Sequence, residues 1–284
     1  MEEFRIHTYT AAEPGLFVNS YLLESADGVV LVDAGLLVSD ALAMGARIAA
    51  LHKPLVAAFV THPHPDHFNG LPYVAADVPV YATALVAKTI EETAAAKREQ
   101  WQPTYGTEWP DRFRVPDHLL DGGAAVRFGG LSIAVHDVGP AESHADSYLV
   151  AEAGGKRAAF IGDLAFDDMH SYTADGHSGA WLQALDRVAG DLAGVPLYPG
   201  HGSPGDSGLL VRQRQYLLMY REVVRRLADG APSMADGQKA ELTQVMGSYL
   251  PGAGLDFLVG LGADAVAAEL AELAGQELAE AQSA

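Results

Sequence analysis

Residues Val60–Gly70 read VTHPHPDHFNG, with three histidines and one aspartate inside six positions and two prolines among them. Imidazoles crowded in this way repel one another when protonated, so the stretch needs a compensating charge and a reason for its stiffness. The residue before a proline is pushed to extended backbone, so Pro63 and Pro65 hold His62 and His64 on a strand-like path with their side chains on one side. Asp66 and His67 lie beyond the second proline, where the chain can turn, and address a second point nearby. Asn69 and Gly70 suit the end of that turn or the start of a helix. A divalent cation removes the repulsion, because its charge favours unprotonated rings and neutral imidazole is a metal donor. The prolines then reduce the entropy lost when the ligands are fixed.

The rest of the composition narrows the partners. The 284 residues contain no cysteine, so neither a disulfide framework nor a thiolate site is open to the chain, and any metal is held by nitrogen and oxygen. Lys and Arg number 18 against 37 Asp and Glu, a formal charge of -19 that argues against nucleic acid or an anionic membrane as partner and for a small neutral or cationic substrate. The start, MEEFRIHTYT, has no basic segment followed by an apolar one, and no run of about 18 apolar residues occurs, so a cytoplasmic location is expected.

Short apolar strands ended by Gly or Asp dominate the first two thirds. FVNSYLLE and GVVLVDAG form a hairpin about the turn Ala26 to Gly28, a helix capped by Ser39 runs through Leu51, and LVAAFVT leads from Pro54 into the histidines. PVYA is a further strand, Thr83 to Glu99 reads as helix, and Trp101 to Phe113 is an aromatic, aperiodic loop or lid. AAVRF with LSIAVHDV, and SYLVAE with RAAFIGD, make two more hairpins. A helix over Gly179 to Leu192, the strand and loop VPLYPGHG, and a mainly helical segment from Ser207 complete the chain. Strand hairpins interleaved with single helices suggest two sheets covered by helices rather than a continuous parallel wind.

THPHPDH matches the HxHxDH motif of the metallo-β-lactamase superfamily. A VDAG strand end before it, and a lone histidine, an FIGD strand end and a PGHG turn after it, follow in the family's order. The resemblance spans roughly Phe17 to Gly202. It implies an α/β (α+β) fold, an αββα sandwich over residues 1–206, with a C-terminal helical extension over 207–284 packed on it. It also implies two metal ions, zinc, with iron or manganese as the other options. His62, His64 and His144 from GPAESHADS would hold one ion, Asp66, His67 and His201 the other, and Asp163 would bridge them. Asp33 of VDAG would support the ligands from behind.

One departure stands out. The family's third histidine lies about four residues before the next strand, whereas His144 precedes Asp146 and Ser147 by two and three, and alignment on Asp146 would put Ser143 in the ligand place. His144 is chosen because no other histidine lies in that loop. His136, eight residues earlier in a strand, reads as a structural histidine.

The chemistry implied is hydrolytic. Two bridged ions would lower the pKa of a shared water from 15.7 toward about 7, giving a hydroxide that attacks the carbonyl of a small ester, lactone, thioester or amide, with Asp66 orienting it or moving its proton. The aspartate-bridged pattern is similar to glyoxalase II and to acyl-homoserine lactonases. The latter carry a tyrosine three residues past the bridge, where this chain has Phe166. The competing reading is an iron-dependent redox or dioxygenase member of the same fold. Trp101, Tyr105, Trp109 and Phe113 either wall an apolar pocket over the metals or form a buried insertion, and His170 is a further pocket candidate. The arginines of Arg212 to Arg226 either pair with acids on a solvated face or hold an anionic thioester. The tail Ala263 to Ala281 either packs on the domain or mediates a homodimer.

Overall fold

The computed structural model describes residues 3–283. The chain divides into two compact units. The first comprises the chain up to Gly139 with Ala145–Asp163 and Gly194–Asp206, and the second comprises Pro140–His144, Leu164–Ala193 and everything from Ser207 onward.

The first unit holds two sheets. One has six strands in sequential order: β1 (Arg5–Thr10), β2 (Asn19–Glu24), β3 (Val29–Val32), β4 (Leu55–Phe59), β5 (Val80–Thr83) and β6 (His118–Leu120). The first three pair antiparallel, β1 and β2 across a longer loop that holds the 3-10 turn Glu13–Gly15, and β2 and β3 across the short turn Ser25–Gly28. From β3 to β6 the pairing is parallel, with α1 (Val38–Ala50), the one-turn helices α2 (Pro65–Phe68) and α3 (Leu71–Val74), and α4 (Ala84–Tyr105) in the successive crossovers. The other sheet runs β11 (Leu197–Pro199), β10 (Lys156–Gly162), β9 (Asp146–Ala153), β8 (Leu131–Gly139), β7 (Ala125–Phe128).

Period-two alternation divides the side chains between two cores. Tyr21, Leu23, Val30, Val32, Ala57 and Phe59 meet Leu131, Ile133, Val135, Leu149 and Phe160 of the second sheet. The alternate residues Leu22, Val29, Leu31, Ala58 and Val60 pack on Met44 and Ile48 of α1 and Val86 and Ile90 of α4. Strands such as VVLV are therefore buried on both faces, as their uninterrupted apolar sequence requires.

Three local outcomes differ from the sequence reading. The helix read to Glu99 continues to Tyr105, taking Pro103 into its last turn and closing at Gly106, whose φ of 57° is open to glycine. Much of the expected aromatic loop is thus helix. Ser39 does not cap α1 with its side chain; its backbone N–H donates to Glu108 Oε2, a cap supplied from distant sequence. Strands β1 and β6 lie at the edges of their sheet, where weak apolar contrast gives little sequence signal.

The second unit is helical: α5 (Ser178–Asp191), α6 (Gly208–Ala228), α7 (Asp236–Tyr249), α8 (Phe257–Leu261) and α9 (Ala263–Ser283). The arginines of α6 pair with acids: Arg212 with Asp167, Arg214 with Asp186, Arg225 with Glu222, Arg226 with Glu241. Arg221 meets Glu269, which also accepts from the backbone of Ser178 and Gly179 at the start of α5. The tail helix α9 thus packs within this unit, with Val266 and Ala267 buried. Among the described residues no helix is long and apolar enough to cross a membrane.

Candidate metal centre

β4 ends at Phe59, and Val60 and Thr61 carry the chain, still buried, to His62. His64 keeps the extended conformation that Pro65 imposes (φ -81°, ψ 142°), and Pro65 then opens the one-turn helix α2 (Pro65–Phe68). That turn swings Asp66 and His67 away from the path of His62 and His64, as the prolines foretell. His62 and His67 are fully buried, and His64 and Asp66 are each 8% exposed.

Asp163, at the end of β10, and His201, after β11, reach the same place. Asp163 Oδ1 lies 3.3 Å from His67 Nε2, while its Oδ2 lies 3.4 Å from His201 Nε2 and 4.0 Å from His62 Nε2. Asp66 Oδ2 is 3.1 Å from His201 Nε2 and 3.5 Å from His67 Nε2. Two groups result whose ligand atoms all fall within 4.8 Å of one another, His62, His67 and Asp163, and Asp66, His67 and His201. Each could hold a metal ion, and both draw on His67 Nε2, with the Asp163 carboxylate within 3.4 Å of both His67 and His201. Gly200 makes this approach possible: a Cβ there would meet Asp163 Oδ1 at 2.0 Å and His67 Cε1 at 2.7 Å.

The partners behind the ring fix which nitrogen faces inward. Asp33 accepts from Thr61 N, Thr61 Oγ and His67 Nδ1 at 2.9, 2.9 and 2.8 Å. His67 therefore carries its proton on Nδ1 and turns the lone pair of Nε2 to the carboxylates. Because Thr61 Oγ donates to Asp33, its oxygen is left to accept from His62 Nδ1 at 3.0 Å, which sets the same tautomer there. His201 Nδ1 donates to the Leu16 carbonyl at 2.9 Å. Three imidazoles thus present Nε2 to one small volume, and His67 Nε2 and Asp163 Oδ1 are buried there without a hydrogen-bond partner. Nitrogen lone pairs and carboxylate oxygens, dry and convergent, fit a divalent cation.

The electrostatics agree. Burial pulls the His201 imidazole down, yet Asp163 and Asp66 beside it push it up to about 9. Burial likewise opposes a proton on His67, and Asp163, Asp66 and Asp33 overcome it and raise it well above the ordinary value. Burial works to raise Asp66, but His67 and His201 hold it well below the usual carboxylate range, and His201 and His67 do the same to Asp163. His62 goes the other way, lowered by burial and by His67 and His64. Carboxylates that raise a neighbouring imidazole in this way favour a divalent cation at its nitrogen for the same reason.

The expected third histidine is placed differently. His144 belongs to neither group; its side chain is 50% exposed, with Nδ1 2.7 Å from His177 Nε2 and Nε2 3.6 Å from Asp175 Oδ2. Both ring nitrogens face partners at the surface of the helical unit. Two residues earlier in the same loop, Glu142 is 1% exposed.

The pocket candidates fall into two sets. His170 is 1% exposed inside the helical unit, its Nδ1 3.1 Å from the Tyr216 hydroxyl. Phe166 is buried in that unit, its N–H on Gln213 Oε1 and its ring near Trp181. Trp101 and Trp109 belong to the first unit, in an apolar cluster with Leu16, Leu36, Leu37 and Tyr105. His136 stacks on Tyr148 with centroids 4.6 Å apart.

Residues 14–201 match the family described as the metallo-beta-lactamase superfamily. Solved structures similar to the chain include a beta-lactamase domain protein from Burkholderia ambifaria, at 22% identity over 96% of this chain and 87% of that one, with a TM-score of 0.68. A metallo-beta-lactamase from Pontibacter korlensis is 23% identical over 77% and 96% of the two chains, TM-score 0.59. One from Hirschia baltica is 21% identical over 76% and 96%, TM-score 0.56. No curated protein matches. These likenesses show the fold, an αββα sandwich.

Proposed function

Because the chain belongs to the metallo-beta-lactamase superfamily, whose members are generally metal-dependent hydrolases, we propose that it is a dinuclear zinc hydrolase acting on the carbonyl of a small ester, lactone, thioester or amide. The observation that carries this reading is Asp163, whose Oδ2 lies 4.0 Å from His62 of one ligand set and 3.4 Å from His201 of the other, with its Oδ1 3.3 Å from His67. Asp66, His67 and His201 form one ligand set. His62 and His64 belong to the other.

Bound at such a centre, the ions would polarise the substrate carbonyl and bring the ionisation of a water from 15.7 toward about 7. The protein's own contribution is orientation: Asp33, Thr61 and the Leu16 carbonyl fix the imidazole tautomers. Asp66, kept ionised by its histidine neighbours in spite of burial, is the group placed to take a proton and pass it to the leaving group.

The test is metal content measured together with a screen of esters, lactones, thioesters and β-lactams, repeated for His64→Ala. Hydrolysis that survives loss of His64 contradicts the mechanism. A second reading follows from the group His62, His67 and Asp163, because two histidines and one carboxylate are also the donor set of non-haem iron oxygenases. Iron in the purified protein, with oxygen uptake in place of hydrolysis, would select it.

A further inference from the structure

β11 ends at Pro199, and the turn that follows it, residues 199–202, carries His201 to the candidate centre. The carbonyls of that turn converge on one buried side chain of the same unit, Asn19 at the start of β2. The Asn19 backbone N–H donates to the Gly200 carbonyl at 2.7 Å. Its Nδ2 donates to the Pro199 carbonyl at 3.1 Å and to the Gly202 carbonyl at 2.7 Å. Three carbonyls that surround His201 in the chain therefore end on one asparagine.

The residue type follows from these partners. Carbonyls only accept, so both Nδ2 hydrogens are spent on them, while Oδ1 accepts from the Thr10 hydroxyl at 2.7 Å. The amide is engaged at both ends, and its orientation is fixed. A carboxylate of the same shape would turn an acceptor toward two acceptors, in a place with no water to separate them.

The residues just before Asn19 hold the imidazole itself. Leu16 accepts from His201 Nδ1 at 2.9 Å, and Val18 meets His201 in an isolated antiparallel bridge. To do so the chain takes Leu16 and Phe17 through the left-handed region, at φ 61° and 56°, where bulky side chains are strained. Strain of that kind persists where the surroundings demand it. Here the loop closes on itself, with Ala11 N–H on the Val18 carbonyl, Phe17 N–H on Ala12 and Val18 N–H on Gly15. On the other side of the turn, Gly200 N–H donates at 2.7 Å to the carbonyl of Gly162, the residue before Asp163. The turn is thus held between Asn19 and the strand that delivers Asp163.

We propose that Asn19 is the positioning residue of His201. Its amide sets the turn so that His201 Nε2 falls 3.1 Å from Asp66 Oδ2 and 3.4 Å from Asp163 Oδ2. The ion that Asp66, His67 and His201 would hold then depends on Asn19, and the ion on the side of His62 and His64 does not. The proposal rests on the metal-centre reading for that ion, while the hold on His201 can be measured with no metal present.

The probe is cobalt(II), titrated into the metal-free protein and followed by equilibrium dialysis and visible absorption. The unsubstituted chain should take two ions. Asn19→Asp and Asn19→Ala should each weaken one of them by about 10- to 100-fold, the loss expected when a partner that orients a ligand is removed, and leave the other as it was. Asn19→Ala carries the test if the charge buried by Asn19→Asp prevents folding. Tyr21→Phe removes another donor to the Pro199 carbonyl, at 2.6 Å, leaves all three Asn19 bonds and should keep both ions. In metal-free protein with 15N-labelled histidine, the His201 Nδ1–H resonance should broaden or vanish in the Asn19 variants while that of His67, held by Asp33, stays. Both ions held as before in Asn19→Ala, both weakened alike, or one lost from Tyr21→Phe as well, overturns the assignment. An unsubstituted chain that binds no cobalt refutes the metal reading instead. The two resonances then decide on Asn19: His201 lost with His67 kept upholds it, and any other pattern overturns it.

Discussion

Replacing Gly200 by alanine adds one carbon at the tightest point of the candidate site. Its Cβ would stand 2.0 Å from Asp163 Oδ1, 2.7 Å from His67 Cε1 and 3.2 Å from Asp163 Cγ, against an ordinary contact of 3.4 Å or more. Something must therefore retreat by 3.4 - 2.0 = 1.4 Å. The backbone of Gly200 cannot yield easily, because its N–H donates to Gly162 and its carbonyl accepts from Asn19, both at 2.7 Å. Asp163 and His67 are 4% and 0% exposed and have no solvent to move into. Overpacking of this kind costs about 1–3 kcal/mol. Its effect on metal is larger, because ligand distances tolerate only about 0.2 Å of error, and we expect affinity to fall by roughly 100-fold or more. Gly45→Ala is the control, since that glycine sits inside α1 with nothing within 4 Å of the added carbon. It should stabilise by about 0.5–1 kcal/mol, or about 1–4 °C in Tm. Metal retained after dialysis against a graded chelator, and thermal melts of both variants, give the answer. Gly200→Ala protein that holds its metal as tightly as the unsubstituted chain would refute the placement of Asp163 and His67.

Three further outcomes follow. Asp33→Ala leaves Thr61 N–H, Thr61 Oγ and His67 Nδ1 without their shared acceptor, and metal affinity measured by competition should drop about 10- to 100-fold; an unchanged affinity would mean that Asp33 does not orient His67. His64→Ala should lower the number of ions bound per chain while His144→Ala, whose ring meets His177 and Asp175, leaves it unchanged, and elemental analysis showing metal lost from His144→Ala restores His144 as the ligand. Because His201 is raised to about 9 in the metal-free site, and His67 is raised as well, metal uptake at pH 7 should release protons and apparent affinity should climb until about pH 9. The same shift stabilises the metal-free protein below the ordinary histidine value near 6.5, and that stability is lost as pH rises through 9. Metal-free melts that do not change between pH 6 and 9.5 would contradict it.

What the sequence disclosed depends on how local each instruction is. His62, His64, Asp66 and His67 sit in six consecutive residues whose prolines dictate the backbone, so their two directions could be read without knowing the fold. Asp163 and His201 were legible as polar residues ending apolar strands, and Asp33 as the end of VVLVDAG. The loop Pro140–His144 carries no such rule. Which of its side chains turns inward depends on distant groups such as His177 and Asp175, which engage His144. The same holds for α4, where the proline that marks a stop in sequence falls in the last turn and the helix ends at Gly106 instead. Strand hairpins foretold two sheets, and the alternation of Leu22, Leu31 and Ala58 against Leu23, Val32 and Phe59 shows why those strands read as unbroken apolar runs.

The central claim is that Asp163 lies between two metal ions. Anomalous diffraction at the zinc edge from crystals grown with zinc tests it most directly. We expect two peaks about 3.5–4 Å apart, one on each side of the Asp163 carboxylate. A single peak, or none, with His67, Asp163 and His201 still converging on one another, would contradict the account.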